Sequence, residues 1–139
     1  MDDKTKSAFM KKVNEEPFAK FLGIKLVDVD NGYALCEMHY REEMDNIHHT
    51  AHGGAVFSLI DEAFEISSNS HGTMAVALNM NITYIKPAVR NSLLRAESTE
   101  MSRGRKTATY QITVKDDEGL IAICQALVYR KNDKLTFIG

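Results

Sequence analysis

The chain has 139 residues, of which 44% are hydrophobic and 26% are charged, and its net charge is −2 at neutral pH. This size and composition predict a single soluble globular domain over residues 1–139. A general nucleic-acid binder would carry a strong basic excess, so the charge argues against nucleic acid as a partner.

The chain lacks the hydrophobic segments that direct proteins to membranes. No apolar run approaches the roughly 18 residues of a membrane span, and residues 1–16 have no signal-peptide core. Cys36 and Cys124 lie in separate apolar stretches without the paired spacing of a metal or redox site, so we expect buried, reduced thiols. These features predict a cytoplasmic protein that does not contact a membrane.

The first elements are a short helix and a hairpin. Residues near 5–18 can form an amphipathic helix whose apolar side holds Phe9, Met10, Val13 and Phe18. After Gly23, two strand-like runs flank the sequence Asp30-Asn31-Gly32. Asn and Gly both tolerate positive φ, which predicts a tight turn between two antiparallel strands.

The middle of the chain changes from helical to strand periodicity. Residues 54–70 carry apolar side chains at helical spacing, and His71-Gly72 is a suitable stop. Residues 74–84 then alternate, which predicts a strand with one face made of Met74, Val76, Leu78, Met80, Ile82 and Tyr84.

Three more strands, at 92–102, 105–116 and 119–130, are separated by short turns, so neighbouring strands must be antiparallel. The last run is apolar at nearly every position, which predicts a strand covered on both faces. The resulting architecture is α+β, with a five- or six-stranded antiparallel sheet and one long helix inserted after the second strand.

The stretch from Asn46 to Phe64 combines histidines, glycines and acids. His48 and His52 have the i, i+4 spacing of a helical metal pair, but Thr50 and the glycines that follow disfavour a helix there, so no metal site is predicted. Ser58 lacks the surrounding pattern of a nucleophilic serine.

Asp61 is the more informative acid of the predicted helix. It falls at the boundary of the apolar stripe, whereas Glu62 and Glu65 fall on the polar side, where we expect solvated acids. A partly desolvated carboxylate has a raised proton affinity and can act as a general base or a nucleophile. A structural Asp bonded to a neighbouring backbone or hydroxyl group remains the alternative from helix geometry alone.

Gly53 and Gly54 lie where the helix begins. The first N–H groups of a helix have no partner within it, and the positive end of the helix favours negative charge. Such a site can hold the oxyanion that forms when a carbonyl is attacked. A loop-to-helix turn that simply requires glycine is an equally valid interpretation of these two residues.

Asn46, the turn His52-Gly53-Gly54 and Asp61 together resemble the signature of hotdog-fold acyl-CoA thioesterases. The similarity is to the phenylacetate-pathway family, which includes thioesterase superfamily member 2. There an Asn lies six residues before the His and the catalytic acid nine after it; here 52 − 46 = 6 and 61 − 52 = 9. The runs NMNITYIKPA, SRGRKTATY and AICQALVYR fit the same layout, so the resemblance covers about residues 20–131.

This resemblance implies a long helix wrapped by a curved antiparallel sheet, and hydrolysis of acyl-CoA to a free acid and CoA. It implies homodimers that pair through the long central strands and often join as homotetramers, with no metal or cofactor. Asn46 and Gly53 would come from one subunit and Asp61 from the other. Asp61 would act as base or nucleophile, the Gly53 N–H would hold the oxyanion, Asn46 would orient water or the carboxylate, and His52 would steady the turn.

The resemblance also suggests the substrate contacts. Gly54 belongs to the oxyanion turn, and the acyl group would meet apolar surface near Val56, Phe57, Ile60 and Phe64. Ala77 stands where some relatives carry a hydroxyl that positions water, so Ser68 or Asn69 would substitute for it. The CoA phosphates need cationic partners, and the candidates are Arg103, Arg105 and Lys106, followed by Lys86 and Arg90.

Two other functions are compatible with this fold. A hydroxyacyl-thioester dehydratase would need a His and an acid in a different arrangement. A non-catalytic acyl-CoA-binding module of the known regulatory kind would carry a DNA-binding segment, for which residues 1–20 are too short. A pure binder would also gain little from a partly buried carboxylate, because burial of the charge costs free energy.

Overall fold

A computed structural model describes the chain from Met1 to Gly139. Short 3-10 helices lie at Glu42–Met44 and Thr136–Ile138. None of the helices combines the length and the apolar character that a membrane crossing needs. The main elements in chain order are α1 (Asp3–Glu15), α2 (Pro17–Leu22), β1 (Lys25–Asp30), β2 (Tyr33–His39), α3 (Gly53–Asn69), β3 (Thr73–Tyr84), β4 (Leu93–Arg103), β5 (Thr107–Asp116) and β6 (Gly119–Lys134).

The six strands form one antiparallel sheet in the order β1-β2-β4-β5-β6-β3. The long helix α3 packs across this sheet and buries Leu59, Ile60 and Ala63 completely, each with 0% exposure. The sequence-based prediction of an α+β hotdog arrangement, with a helix inserted after the second strand, is therefore confirmed.

The N-terminal segment forms two helices instead of the one predicted over residues 5–18. The residue before a proline avoids the helical region, and Glu16 accordingly adopts an extended conformation with φ −71° and ψ 119° before Pro17 begins α2. Phe9 and Val13 are buried as expected. Phe18 belongs to the second helix and is 54% exposed, so its assignment to the same apolar side was wrong.

The predicted hairpin is present, because β1 and β2 pair around Asp30 and Tyr33. Only Gly32 of the turn adopts positive φ, at +72°, so Asn31 does not use the conformation that both residues tolerate. A side chain at Gly32 would also approach Glu100 Cβ within 2.8 Å. The turn therefore depends on this one glycine.

Strand β3 lies at one edge of the sheet and pairs only with β6. The pairing passes from Ala77 opposite Val128 to Asn79 opposite Leu127, so Leu78 is an extra residue in the strand. Such a bulge exchanges the two faces of a strand. The prediction of one continuous face from Met74 to Tyr84 was therefore wrong.

Because of the bulge, the two halves of β3 present different kinds of side chain to the core. Directly opposite residues of an antiparallel pair lie on the same face, so Ala77 shares the core face with buried Val128, and Met80 shares it with buried Ala126. Leu78 itself is 57% exposed. The same strand thus faces α3 with alanines near its start and with larger side chains near its end.

Beyond Ile121, strand β6 is covered on one face only within the chain. Ala122, Cys124 and Ala126 are buried, whereas Ile123 and Tyr129 on the other face are 36% and 40% exposed. The prediction that both faces are covered does not hold for a single chain. The outer face of the sheet therefore carries apolar side chains that remain partly open to solvent.

Candidate active site

The loop before α3 is organised by Asn46. Its Oδ1 accepts hydrogen bonds from the N–H groups of His48 (2.8 Å) and Thr50 (3.1 Å), and its Nδ2 donates to Thr50 Oγ1 at 2.9 Å. An amide nitrogen carries two hydrogens. One N–H of Asn46 therefore remains for a group outside the loop.

His52 caps the helix α3 at its beginning. Its Nδ1 accepts a hydrogen bond from the Gly54 N–H at 2.8 Å, and its carbonyl oxygen accepts from Ala55 (2.9 Å) and Val56 (3.3 Å). Because Nδ1 accepts, a neutral His52 carries its proton on Nε2. The His52 side chain thus holds the first turn of α3 through this hydrogen bond.

The Gly53 N–H is the one donor in the first turn of α3 that the His52 cap does not satisfy. It donates no hydrogen bond within the chain, whereas the next three N–H groups of the helix all have acceptors. Tyr84, at the end of β3, donates through its hydroxyl to the Gly53 carbonyl at 3.0 Å. The tyrosine therefore anchors Gly53 through the peptide group that follows the one carrying the free donor.

Asp61 lies on the wall of a cleft of about 690 Å³ between α1, α3, β3 and the C-terminal segment. The cleft also contains Phe9, Val13, Ser68, Ala77 and Phe137. Burial, followed by the negative charge of Glu16, raises the pKa of Asp61 above its ordinary value. No hydrogen bond or ion pair within the chain stabilises the Asp61 carboxylate. The chain therefore does not contain the alternative arrangement, in which Asp61 bonds a neighbouring backbone or hydroxyl group.

One chain does not bring Asp61 to the Gly53 donor. The two residues lie on the same helix, 61 − 53 = 8 residues apart, which corresponds to about 12 Å along its axis. Gly53 and Asn46 are also absent from the lining of the Asp61 cleft. The two halves of the predicted site are thus separate within a single copy.

The prediction that Glu62 is a solvated acid was wrong. Its side chain is 4% exposed, because the junction between α1 and α2 packs over this part of α3 and places Glu16 beside it. Burial, then the adjacent Glu16 carboxyl group, raises the pKa of Glu62 well above its ordinary value of 4.5. No hydrogen-bond partner exists for the buried Oε1 atom of Glu62.

Glu65 is more open, in keeping with its predicted position on the polar side. Part of its side chain is exposed, but it also lines the cleft that contains Asp61. Burial of the carboxyl group, followed by the charges of Glu16 and Asp61, raises the pKa of Glu65 to about 7. This part of α3 is therefore an acidic region at the cleft that is still open to solvent at Glu65.

Ser68 and Asn69 reach the cleft together with Ala77, but both are engaged with backbone groups. Ser68 donates to the Glu65 carbonyl at 3.1 Å. Asn69 accepts from the Ala75 N–H at 2.9 Å and donates to the Ala75 carbonyl at 3.2 Å. Asn69 therefore joins the end of α3 to the start of β3, and it also donates to the buried Ser68 hydroxyl at 3.4 Å.

The predicted acyl contacts occupy different environments. Phe64 lines the cleft and packs edge-on against Tyr110 with ring centroids 5.6 Å apart. Phe57 is 36% exposed and Gly54 is exposed, both outside the cleft of the single chain. Val56 and Ile60 are core residues with 3% and 0% exposure, so they offer no surface to a ligand.

The five candidate cations differ in how far they are engaged. Arg90 contacts Asp45 (3.1 Å) and the His49 carbonyl (2.7 Å), and it thereby fixes the Asn46 loop.

The other candidate cations are engaged to different extents. Lys86 donates to the Glu118 carbonyl at 3.1 Å, and Arg103 lies 3.6 Å from Glu100. Only two of the five, Arg105 and Lys106, are exposed without a charged partner or a side-chain hydrogen bond.

Sequence analysis did not identify two residues that shape the candidate site, Tyr84 and Glu16. Tyr84 was assigned to a strand face, and no spacing indicates that its hydroxyl reaches the Gly53 carbonyl across 31 residues. Glu16 was placed inside a continuous helix. The proline at position 17 was the available signal that the helix stops there and turns this residue away from the helix axis.

The burial of Glu62 leads to a prediction about stability and pH. In buffer free of divalent cations, Glu62→Gln should be more stable than the wild type at pH 8 by about 1–3 kcal/mol, because it removes a buried, unsatisfied carboxylate. The pKa of Glu62 is raised in the folded state above its ordinary value of 4.5, so the free energy of unfolding of the wild type falls as the pH rises above 4.5. The stability difference between the variant and the wild type should therefore shrink toward pH 4. Urea unfolding across this range measures it, with Glu118→Gln on an exposed turn as the control. A variant less stable than the wild type at pH 8 would show that the carboxylate has a stabilising partner.

Comparison with known proteins identifies the family. Residues 48–123, more than half of the chain, match the thioesterase superfamily. A protein of Archaeoglobus fulgidus that carries the general description of an esterase is 42% identical over 115 residues, which cover 82% of this chain and 75% of that protein. The acyl-coenzyme A thioesterase PaaI of Escherichia coli is 35% identical over 100 residues, covering 72% and 71%. The solved structure of E. coli PaaI, from the phenylacetic acid degradation operon, superimposes with a TM-score of 0.90 at 29% identity over 96% of this chain and 97% of PaaI. The chain therefore belongs to the thioesterase superfamily and is a thioester hydrolase with the hotdog fold.

Proposed function

We propose that this chain hydrolyses acyl-CoA thioesters to a free acid and CoA, at a site that two copies of the chain complete together. Its relatives support the substrate class, because E. coli PaaI and the human acyl-coenzyme A thioesterase 13, 38% identical over 74 residues, are both named for acyl-CoA. The assignment of roles to Asp61, Gly53, Asn46 and His52 is part of the proposal.

The observation that carries this proposal is the separation of two unsatisfied groups on one helix. The Gly53 N–H has no acceptor, and the half-buried Asp61 carboxylate has no donor, yet about 12 Å of helix lies between them. A carbonyl attacked at Asp61 must therefore find its oxyanion donor on another copy of α3. An antiparallel pair of α3 helices would bring each Gly53 toward the other copy's Asp61.

The edge of β3 offers a surface on which such a pair would form. The strand pairs on one side only, and Met74, Val76, Leu78 and Tyr84 are between 39% and 57% exposed. An unpaired, apolar edge of this length is rarely left open in a stable protein. Pairing of two β3 edges would also bury the Tyr84 side chains that hold Gly53. The partly exposed outer face, with Ile123 and Tyr129, is then available for joining two dimers.

The proposed chemistry needs no metal or cofactor, because a thioester carbonyl is electrophilic and a thiolate is a good leaving group. Asp61 removes a proton from water as the water attacks the carbonyl carbon, or it attacks that carbon itself and water then hydrolyses the resulting anhydride to the free acid. The carbonyl oxygen gains the negative charge and is stabilised by the Gly53 N–H at the positive end of α3. The tetrahedral intermediate then expels the CoA thiolate. The remaining N–H of Asn46 orients the attacking oxygen or the carboxylate.

Arg105 and Lys106 are the cations that we assign to the CoA phosphates. They lie in the β4–β5 turn, which is held by the Arg130 side chain donating to the Gly104 carbonyl at 2.7 Å. Arg130 pairs with Ala75 of β3, and Ala75 lines the Asp61 cleft. The turn therefore lies at the cleft end of the sheet, where its free charges can meet phosphate groups.

Replacement of Asp61 tests the proposed base or nucleophile. Asp61→Asn should lower kcat/KM for acyl-CoA hydrolysis by roughly 10² or more, because the amide can neither accept the proton nor attack the carbonyl. Release of free thiol from a panel of acyl-CoAs measures it, with Asp117→Asn on an exposed turn as the matched control. Undiminished turnover in the variant would move the chemistry to another group. A wild type that binds acyl-CoA without releasing thiol would instead be a binding module.

Replacement of Gly53 tests the oxyanion donor. Proline is tolerated at the first position of a helix, and His52 already has the extended conformation that precedes proline, with φ −61° and ψ 133°. Gly53→Pro should therefore keep the helix but remove the N–H, and lower kcat by roughly 10²–10³. Gly53→Ala is the control that adds a carbon 3.2 Å from the Tyr84 ring yet keeps the donor. Equal losses in both variants would assign the effect to crowding.

Mixed oligomers test whether the site is shared. A dimer of one Asp61→Asn chain and one Gly53→Pro chain contains one site with both defects and one site with neither. Co-expressed, differently tagged chains should therefore recover close to half of the wild-type activity per dimer, although each variant alone is nearly inactive. Recovery would fail if each chain carried its own complete site, and that result would refute the shared arrangement.

A further inference from the structure

Three carboxylates from two parts of the chain converge at the wall of the Asp61 cleft. Glu16 lies at the junction of α1 and α2, and Glu62 and Glu65 lie about one turn apart on α3. One carboxylate oxygen from each of the three lies within 4.8 Å of the other two. We call this group the acid cluster. It takes no part in the proposed hydrolysis.

The acid cluster has no counter-charge within the chain. None of the nine ion pairs involves any of its members. Lys12 lines the same cleft, but its Nζ lies over the Phe137 ring, 5.8 Å from the centroid, and makes no ion pair with the cluster. Asp61 adds a fourth acid nearby, so negative charge accumulates here in a chain whose net charge is only −2.

Glu62 supplies the second, independent indication of a ligand. Its side chain is 4% exposed, and its Oε1 atom has no hydrogen-bond partner. Burial of a carboxylate is strongly unfavourable unless the group is protonated, hydrogen-bonded, paired with a cation or bound to a metal. Its carboxyl group faces that of Glu16 closely enough for the two to share a hydrogen bond when one is protonated, so this position can hold either a proton or a cation.

We propose that Glu16, Glu62 and Glu65 form a binding site for a hard divalent cation of the size of Ca²⁺. Calcium binds oxygen ligands at about 2.3–2.6 Å, so ligands on opposite sides of the ion lie up to about 5 Å apart. The three oxygens lie within 4.8 Å of one another, so one ion of that size can contact all of them. Magnesium demands near-ideal octahedral geometry and gives up its water ligands reluctantly, so three side chains from two separate elements suit it less well than calcium.

The ion would enter through the cleft and connect two elements. Glu16 and Glu65 line the cleft, which gives access and room for the water ligands that complete the coordination. The ion would then link the α1–α2 junction to α3 and fix the wall opposite β3. This site stands independently of the proposed function, because it uses residues that have no role in the hydrolysis and requires no second copy of the chain.

Calorimetric and thermal titrations test the site on the full-length chain. The protein is stripped with a chelator and titrated with CaCl₂ at pH 8, and in parallel with MgCl₂. We expect one Ca²⁺ per chain with a Kd in the range of about 10⁻⁵–10⁻³ M. Saturating Ca²⁺ should raise Tm by roughly 5–10 °C, and Mg²⁺ should bind at least tenfold more weakly.

Single substitutions separate a specific site from general attraction to acids. Glu62→Gln and Glu65→Gln should abolish the Ca²⁺-dependent Tm shift, and Glu62→Gln should do so although its cation-free form is the more stable protein. Glu118→Gln, which removes one exposed acid elsewhere, should respond as the wild type does. An undiminished shift in both cluster variants would overturn the site. So would a wild type that gains stability only from protons, with no saturable response to Ca²⁺ at millimolar concentration, since the carboxyl groups would then share protons instead.

Discussion

The rigid spacing along α3 governs what this chain can do alone. A helix advances about 1.5 Å per residue, so the free N–H at its first residue and the carboxylate eight residues later remain apart whatever the surrounding loops do. His52 and Tyr84 hold the first group in place, and packing of the helix on the sheet holds the second. Each group is therefore positioned in advance, and the proposed reaction brings the two together only between copies of the chain.

The elements whose signals are local were predictable from the sequence. The helical spacing from Val56 onward, the Asn31-Gly32 turn and the short links between late strands each depend on residues close together in the chain, and the structure contains all three. The resemblance supplied the functional pairing of Asn46, His52-Gly53 and Asp61, which no periodicity contains. The structure shows the first two organising the turn and the third at a cleft.

The failures of sequence analysis share a physical cause, which is packing between distant segments. Glu62 falls on the polar side of α3 by angle, but the junction at Glu16 covers it, and that contact joins residues 46 positions apart (62 − 16 = 46). The edge position of β3 and the bulge at Leu78 depend on pairing with β6, about 50 residues later. Only the break before Pro17 had a local signal that the helical pattern obscured.

The extra residue at Leu78 has a consequence for how this strand can vary. Before it, the alanines at 75 and 77 turn toward the cleft and keep it open; after it, Met80 and Ile82 turn toward the core and fill it. A regular strand of the same length would present one kind of side chain along a whole face. Deletion of a single codon here would therefore invert half of the strand, placing large side chains in the Asp61 cleft or exposing apolar side chains to water. Substitution at Leu78 itself would leave both surfaces intact.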